Sequence, residues 1–206
     1  MLYNENNINV YKIASKGNGL KPVLESVMFT KDKTVATDSY RLIEMSVPKN
    51  AKASEFPKVD GVSAMQGCSP FLVSAKMLKE KIKIPKKTSL PILGNVAVKH
   101  IHDNRVEFYT TDGSNADIQN VVRINDKFPD YEKIFPIEKP LAEVEVNGEL
   151  LAGLLEVMSK LDKLSAVRIK IYGALKPMVL EAGDEAVQDH RLAGAIHFNL
   201  HPLRPI

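Results

Sequence analysis

Cysteine is almost missing from this chain: Cys68 stands alone among 206 residues. One thiol closes no intrachain disulfide, so a reducing compartment, the cytoplasm, suits the chain better than secretion. The opening stretch MLYNENNINVYK carries no apolar core of signal-peptide length, and no leader is expected. No apolar run approaches the roughly 20 residues of a membrane span, so no membrane partner is expected either. Chemical signatures are equally scarce. Gly17-Asn18-Gly19 lacks the spacing of a phosphate loop, and no G-x-S-x-G nucleophile elbow occurs. Cys68 has no neighbouring histidine in sequence to activate it. His100 and His102 share a strand face, as two metal ligands do, yet no cysteine or carboxylate completes a set. The expectation is a protein that is not an enzyme and needs no cofactor or metal. The competing enzymatic reading rests on those two histidines and a bound metal.

What the chain does have is a phrase written twice. Residues 21–39 read KPVLESVMFTKDKTVATDS and residues 90–113 read LPILGNVAVKHIHDNRVEFYTTDG. Pro22 matches Pro91, Leu24 matches Leu93, Val27 matches Val96, and Thr37-Asp38 matches Thr111-Asp112. Two copies of one supersecondary unit each need the other to cover an apolar face. Two unrelated hairpins also share proline, valine and leucine before a strand, which is the plainer explanation. The two aspartates read as turn or strand-end residues rather than as an acid–base pair. The apolar fraction of 44% is enough for a core, and the length suits one large domain or two small ones. A net charge of +3 is a weak pull toward an anionic partner.

Along the chain, residues 1–7 are polar and asparagine-rich, which predicts a frayed terminus. Residues 8–16 read as a short helix or the end of a strand. Residues 22–30 and 33–47 read as two strands, with Leu42, Glu44 and Ser46 on one face and Ile43, Met45 and Val47 on the other. A long surface loop is expected over 48–70. Residues 71–73 form a strand, Ser74 caps a short helix buried through Met77, Leu78 and Ile82, and Pro85 ends it. The second copy of the phrase then forms a strand pair, and 115–124 a further strand with Ile118, Val121, Val122 and Ile124. A turn-rich stretch, KFPDYEKIFP, follows at 127–136. Residues 142–146 alternate as a strand. Asn147 caps a helix running to about Leu161, with Leu150, Leu151, Leu154, Leu155, Met158 and Leu161 as one apolar stripe. Three strands close the chain. The order strand, helix, three strands thus recurs, and the fold class is α+β: antiparallel sheets with helices covering one face.

These phrases resemble the bacterial DNA sliding clamp, the beta subunit of the replicative DNA polymerase. The resemblance is carried by KPVLESVMF, VATDSYRLIEMSVP, the FLVSAKMLKE strand-helix, KFPDYEKIFP and the terminal FNLHPLR. The family text is close to RPVLNGV, VATDGHRLA, a strand-helix, GRFPDYRRVLP and a final MPMR. The first four follow the order of the family's middle domain, and the last matches its extreme C-terminus. The resemblance implies clamp-like repeats, with a middle-type domain over residues 1–136 and a second, shorter unit over 137–206 that resembles the family's C-terminal end. The first helix is clipped, and His201-Pro202-Leu203 replaces the family's Met-Pro-Met. A shortened or divergent clamp fits better than the housekeeping subunit.

Two surfaces are implied by the resemblance. Clamp helices line a channel for duplex DNA, and here Lys76, Lys79, Lys81, Lys83, Lys86 and Lys87 fall within twelve residues. Ammonium groups on a helix contact phosphates without reading bases, although a lysine run of this kind is also what a solvated helix face looks like. The second surface is a hydrophobic pocket for short linear peptides of a DNA polymerase and a clamp loader. Its matching positions are Thr37, Ser39, Tyr40, Arg41, Leu42, Pro136, Leu200, His201, Pro202, Leu203 and Arg204, though each alone is also ordinary sheet packing. Encircling DNA implies a homo-oligomeric ring. The alternative is a clamp-fold interaction module that binds replication proteins and does not encircle DNA.

Overall fold

Strand pairing accounts for the order of the first residues. In the computed structural model, which describes residues 1–17, 21–49, 53–57, 70–85, 90–101, 104–140, 143–159, 167–172 and 178–182, Leu2–Asn4 form strand β1 and Glu5–Asn9 helix α1. The expected frayed terminus is therefore structured. Asn4 and Asn7 cap each other: the Asn7 amide donates to Asn4 Oδ1 at 2.9 Å and the Asn4 amide to Asn7 Oδ1 at 3.1 Å. A 3-10 turn, Val10–Lys12, continues the helix, so the stretch from residue 8 is helical at its start rather than strand.

The chain divides into two compact units, Met1–Glu132 and Lys133–Ile206. In the first, β2 (Ser26–Phe29), β3 (Lys33–Thr37) and β4 (Leu42–Ser46) follow α1. The single strand expected over 33–47 is two strands, because residues 38–41 form a turn. The second half repeats the order with β5 (Phe71–Ser74), α2 (Ala75–Lys81), a 3-10 turn at Pro91–Gly94, β6 (Asn95–Ile101), β7 (Arg105–Thr111) and β8 (Ala116–Ile124). Ser74 occupies the cap position of α2 without a side-chain bond, and the backbone turns extended at Ile82, ahead of Pro85.

Eight strands form one antiparallel sheet in the order β1-β6-β7-β8-β5-β2-β3-β4. The leading strands are exchanged between the repeats. Strand β1 of the first pairs with β6 of the second, Leu2 opposite Ala97, while β5 of the second pairs with β2 of the first, Phe71 opposite Phe29. Neither repeat completes its sheet alone, which is what a twofold written phrase requires. The core closes around Phe29, fully buried. Its ring stacks on Phe71 with centroids 5.0 Å apart and meets Tyr3 and Phe108 edge-on at 5.0 and 5.7 Å. Ile43 and Met45 of β4 pack against this core, whereas Leu42 joins a cluster on the opposite face with Val35, Leu72, Phe128 and Tyr131.

Two expectations of exposure change. The 48–70 loop holds a 3-10 turn at Ala53–Glu55, and Phe56 beside it is buried against Leu2, Ala97 and Tyr109. On β8 only Val121 of the four apolar residues is fully buried, and Ile118 and Val122 lie exposed on the other face.

In the second unit, residues 143–147 make a single bridge at Glu145 rather than the expected strand. Val144 and Val146 still face the core. Helix α3 (Gly148–Met158) begins where the sequence places it, with Asn147 Oδ1 accepting from the amides of Glu149 and Leu150 at 3.0 and 3.1 Å. It stops at Met158, short of Leu161, which lies outside the described residues. Leu151, Leu154, Leu155 and Met158 pack with Met178 and Leu180. Leu150 does not join that stripe. Strands β9 (Val167–Lys170) and β10 (Val179–Ala182) pair antiparallel, and the expected last strand lies outside the described residues.

Candidate nucleic-acid and peptide surfaces

The repeated Thr-Asp ends each copy in the same turn. Thr37 Oγ1 donates to the Arg41 carbonyl at 2.7 Å and accepts from the Ser39 amide. Thr111 Oγ1 donates to the Asn115 carbonyl at 2.7 Å and accepts from the Gly113 amide. Asp38 Oδ1 accepts from the amides of Tyr40 and Arg41, and Asp112 Oδ1 from those of Ser114 and Asn115. The residue after each aspartate has positive φ, 79° at Ser39 and 96° at Gly113. Upstream the match persists: Ser26 and Asn95 each donate to the carbonyl three residues back, Val23 and Ile92. Shared geometry at this many points makes the repeat structural rather than a coincidence of hairpins. The copies differ in one respect. Arg41 closes an ion pair on Asp38 through Nε and Nη2, at 3.0 and 2.7 Å, where the second copy has Asn115.

This turn contains most of the peptide positions read from the sequence that the structure describes. Tyr40 stands at its tip, 95% exposed, and Leu42 leaves it half-buried. Thr37 is buried with its hydroxyl committed inside the turn, and Arg41 is committed to Asp38 rather than offered at a rim. Pro136 is exposed in the second unit. Leu200, His201, Pro202, Leu203 and Arg204 lie outside the described residues, so convergence of all these positions remains a proposal.

Arg41, first through its side chain and then through its amide, holds the Asp38 carboxyl down to about 2. Asp112 is lowered by the amides of Asn115 and Ser114. A carboxyl lowered by folding contributes stability above its unfolded value, about 4, and that contribution is lost as pH falls from there through 2. The Tyr40 and Arg41 amide resonances are therefore expected to hold their positions at pH 4 and to shift with a midpoint near 2. A midpoint near 4 would show that the pair does not close in solution.

The basic surface is wider than the lysine run in α2. Lys76, Lys79 and Lys83 are exposed, and Lys83 Nζ donates back to the Lys79 carbonyl at 3.1 Å. Lys81 is half-buried and less available than its neighbours, while Lys86 and Lys87 lie outside the described residues. The first repeat adds Lys12 and Lys16, both exposed. They border a groove of about 540 Å³ shared with Lys76 and Lys79, with Glu25 and Glu80 among its other walls. Sequence reading missed these two, whose only signal was the helical start of the first repeat.

The FPDY segment is a strap. Phe128 and Tyr131 are buried edge-on to each other, centroids 6.0 Å apart, against Val35, Leu72 and Leu42. Lys33 lies 5.2 Å from the Tyr131 ring centroid and pairs with Glu44 and Glu132 at 2.9 and 3.2 Å. Tyr131 and then Glu44 hold the Lys33 ammonium in its charged form, its pKa raised.

No family model and no curated protein matches this sequence. Solved structures do. The beta sliding clamp of Caulobacter crescentus superposes with a TM-score of 0.61 at 15% identity, covering 98% of this chain and 50% of that one. The DNA polymerase III beta subunit of Thermotoga maritima gives 0.56 at 20% identity, over 97% and 50%. That of Streptococcus pneumoniae gives 0.56 at 14%, over 96% and 48%. The chain has the fold of the bacterial sliding clamp. It spans about half the length of the clamps it matches.

Within this clamp fold the strand exchange, the strap and the two Thr-Asp turns account for four of the quoted phrases; the terminal FNLHPLR lies outside the described residues. Among the described residues no group of three or more His, Cys, Asp or Glu side chains is placed to hold a metal. His102 lies outside the described residues, so the two-histidine reading gains nothing. Among the described residues no helix is long and apolar enough to cross a membrane.

Proposed function

We propose that the chain is a sliding-clamp-like processivity factor. It binds duplex DNA without sequence preference as a ring oligomer and tethers a DNA polymerase through a hydrophobic peptide pocket. The observation that supports this reading best is the basic face drawn from both repeats of a clamp fold, with Lys12, Lys16, Lys76, Lys79 and Lys83 exposed. Such a face suits phosphates and offers no arrangement that reads base edges. A second reading, a clamp-fold module that binds replication proteins without encircling DNA, is favoured by the Thr37–Leu42 turn. That turn is held by its own hydrogen bonds and needs no ring.

The test is salt-dependent DNA binding. Wild-type protein is expected to bind unrelated duplexes equally, with affinity falling steeply with salt. Changing Lys76, Lys79 and Lys83 together to Glu is expected to flatten the slope of log K against log salt by about 3, roughly one per lost phosphate contact. No association at low salt, on linear or circular duplex, sinks the DNA reading and leaves the interaction module.

A further inference from the structure

A preformed groove lies where the 3-10 turn of the first repeat meets α2 of the second. The buried members of its lining, Ala14 and Ala75, are small and form its floor. One stretch of backbone ties the two walls together at their base. The Ser15 amide donates to the Leu24 carbonyl at 2.8 Å, and the Ala75 amide to the Glu25 carbonyl at 2.9 Å. The volume of about 540 Å³ lies in the range of small-molecule sites.

Positive charge stands on both walls. Lys12 and Lys16 come from the first repeat, and Lys76 and Lys79 from α2, where a spacing of three residues sets them side by side. Among the described residues none of these four ammoniums is in an ion pair, whereas Lys33 and Lys170 elsewhere in the chain are paired. Glu25 and Glu80 also line the groove, so four positive charges stand against two negative ones. Between the walls is a hydroxyl without a structural task. Ser74 holds the cap position of α2, yet its side chain makes no cap bond, while Asn4 and Asn147 in the equivalent positions cap α1 and α3. Ser74 lines the groove instead, and the half-buried Tyr11 adds an aromatic wall.

We propose that this groove binds an oligophosphate, either the chain carried by a nucleoside triphosphate or the free inorganic ion. The phosphates lie between the two lysine pairs, and the Ser74 hydroxyl donates to one of them. Linked anionic charges match cations set on two walls better than a single phosphate does. A duplex presents its phosphates on a broad convex surface, so it reaches the lysines of the rim and not Ser74. The site therefore goes beyond the DNA reading and shares only its lysines with it.

Calorimetric titration of the full chain with inorganic triphosphate, adenosine triphosphate and a short duplex, at low salt, tests the proposal. Both triphosphates are expected to bind at one per chain. Ser74→Ala is expected to weaken both about tenfold, the loss of one hydrogen bond to a charged group. The urea midpoint and any duplex affinity are expected to hold in that variant, since the hydroxyl caps nothing. Lys12→Glu/Lys16→Glu, at exposed positions on the opposite wall, is expected to abolish triphosphate binding. Tighter binding of adenosine triphosphate than of the inorganic ion assigns a nucleotide, with its base against Tyr11; equal binding assigns the phosphate chain alone. No binding of either triphosphate overturns the proposal. So does binding indifferent to Ser74→Ala, or a loss that the duplex shares equally. Triphosphate binding without duplex binding leaves the proposal standing and sinks the DNA reading alone.

Discussion

Phe29→Ala is expected to lower the unfolding free energy by about 3–5 kcal/mol, the range for removing a fully buried ring. That is a large share of the 5–15 kcal/mol typical of a domain. The residue lies at the meeting of both repeats: Tyr3 comes from the first, Phe71 and Phe108 from the second. Its removal opens a cavity walled by rings on either side, and the strand pairing of β2 with β5 keeps those walls from collapsing. Urea denaturation followed by far-ultraviolet circular dichroism reads the change as a lowered midpoint with an unchanged slope. Phe29→Leu, which restores most of the volume, is expected to lose less than half as much. A loss under about 1 kcal/mol for the alanine variant would mean that the repeats do not share this core.

The second large effect is expected at a polar residue. Asn7 is fully buried, and its Nδ2 donates to Thr34 Oγ1 at 3.2 Å and to the carbonyls of Met45 and Ser46 at 3.1 and 3.2 Å. Its oxygen caps the Asn4 amide. It therefore fastens α1 to the edge strand β4. Asn7→Leu is close in size but leaves several polar groups without this partner, at about 1–3 kcal/mol for each one left unsatisfied. A total loss of about 3 kcal/mol is expected, with faster hydrogen exchange along β4 before the rest of the sheet. A loss within 0.5 kcal/mol, the range of about the average surface substitution, would show that water replaces the amide.

The contrast between these two residues shows what the sequence made legible. Phe29 lies in the repeated phrase, where local chemistry is dense: a proline turn, alternating apolar residues and a Thr-Asp that closes its own hydrogen bonds. The Asn147 cap was readable for the same reason, since its partners are two and three residues away. Asn7 was not. Four asparagines in the first nine residues look like a solvated end, and the groups that justify burying one of them come from β3 and β4. Strand β1 was hidden in the same way, because its neighbour β6 is more than ninety residues downstream. Leu150 was misplaced because periodicity reports which residues are apolar, not whether a partner covers them. Of the candidate surfaces, the α2 lysines were legible as a run. Lys12 and Lys16 reach the same groove only through the packing of the two repeats.

The exchange of leading strands also sets a timetable for synthesis. Strand β1 leaves the ribosome with its hydrogen-bonding edge unmet, and its partner begins at Asn95. At translation rates of about 5–20 residues per second, the wait is roughly 5–20 s. Over the same interval β2 lacks β5 for a shorter time, and the ring of Phe29 has neither Phe71 nor Phe108 to cover it. The nascent first repeat is thus an open half-sheet, the form in which strands most readily pair with the wrong chain. Ribosome-bound chains cut before Thr111 should therefore be protease-sensitive and sticky, and those extended past Ile124 should become resistant in one step.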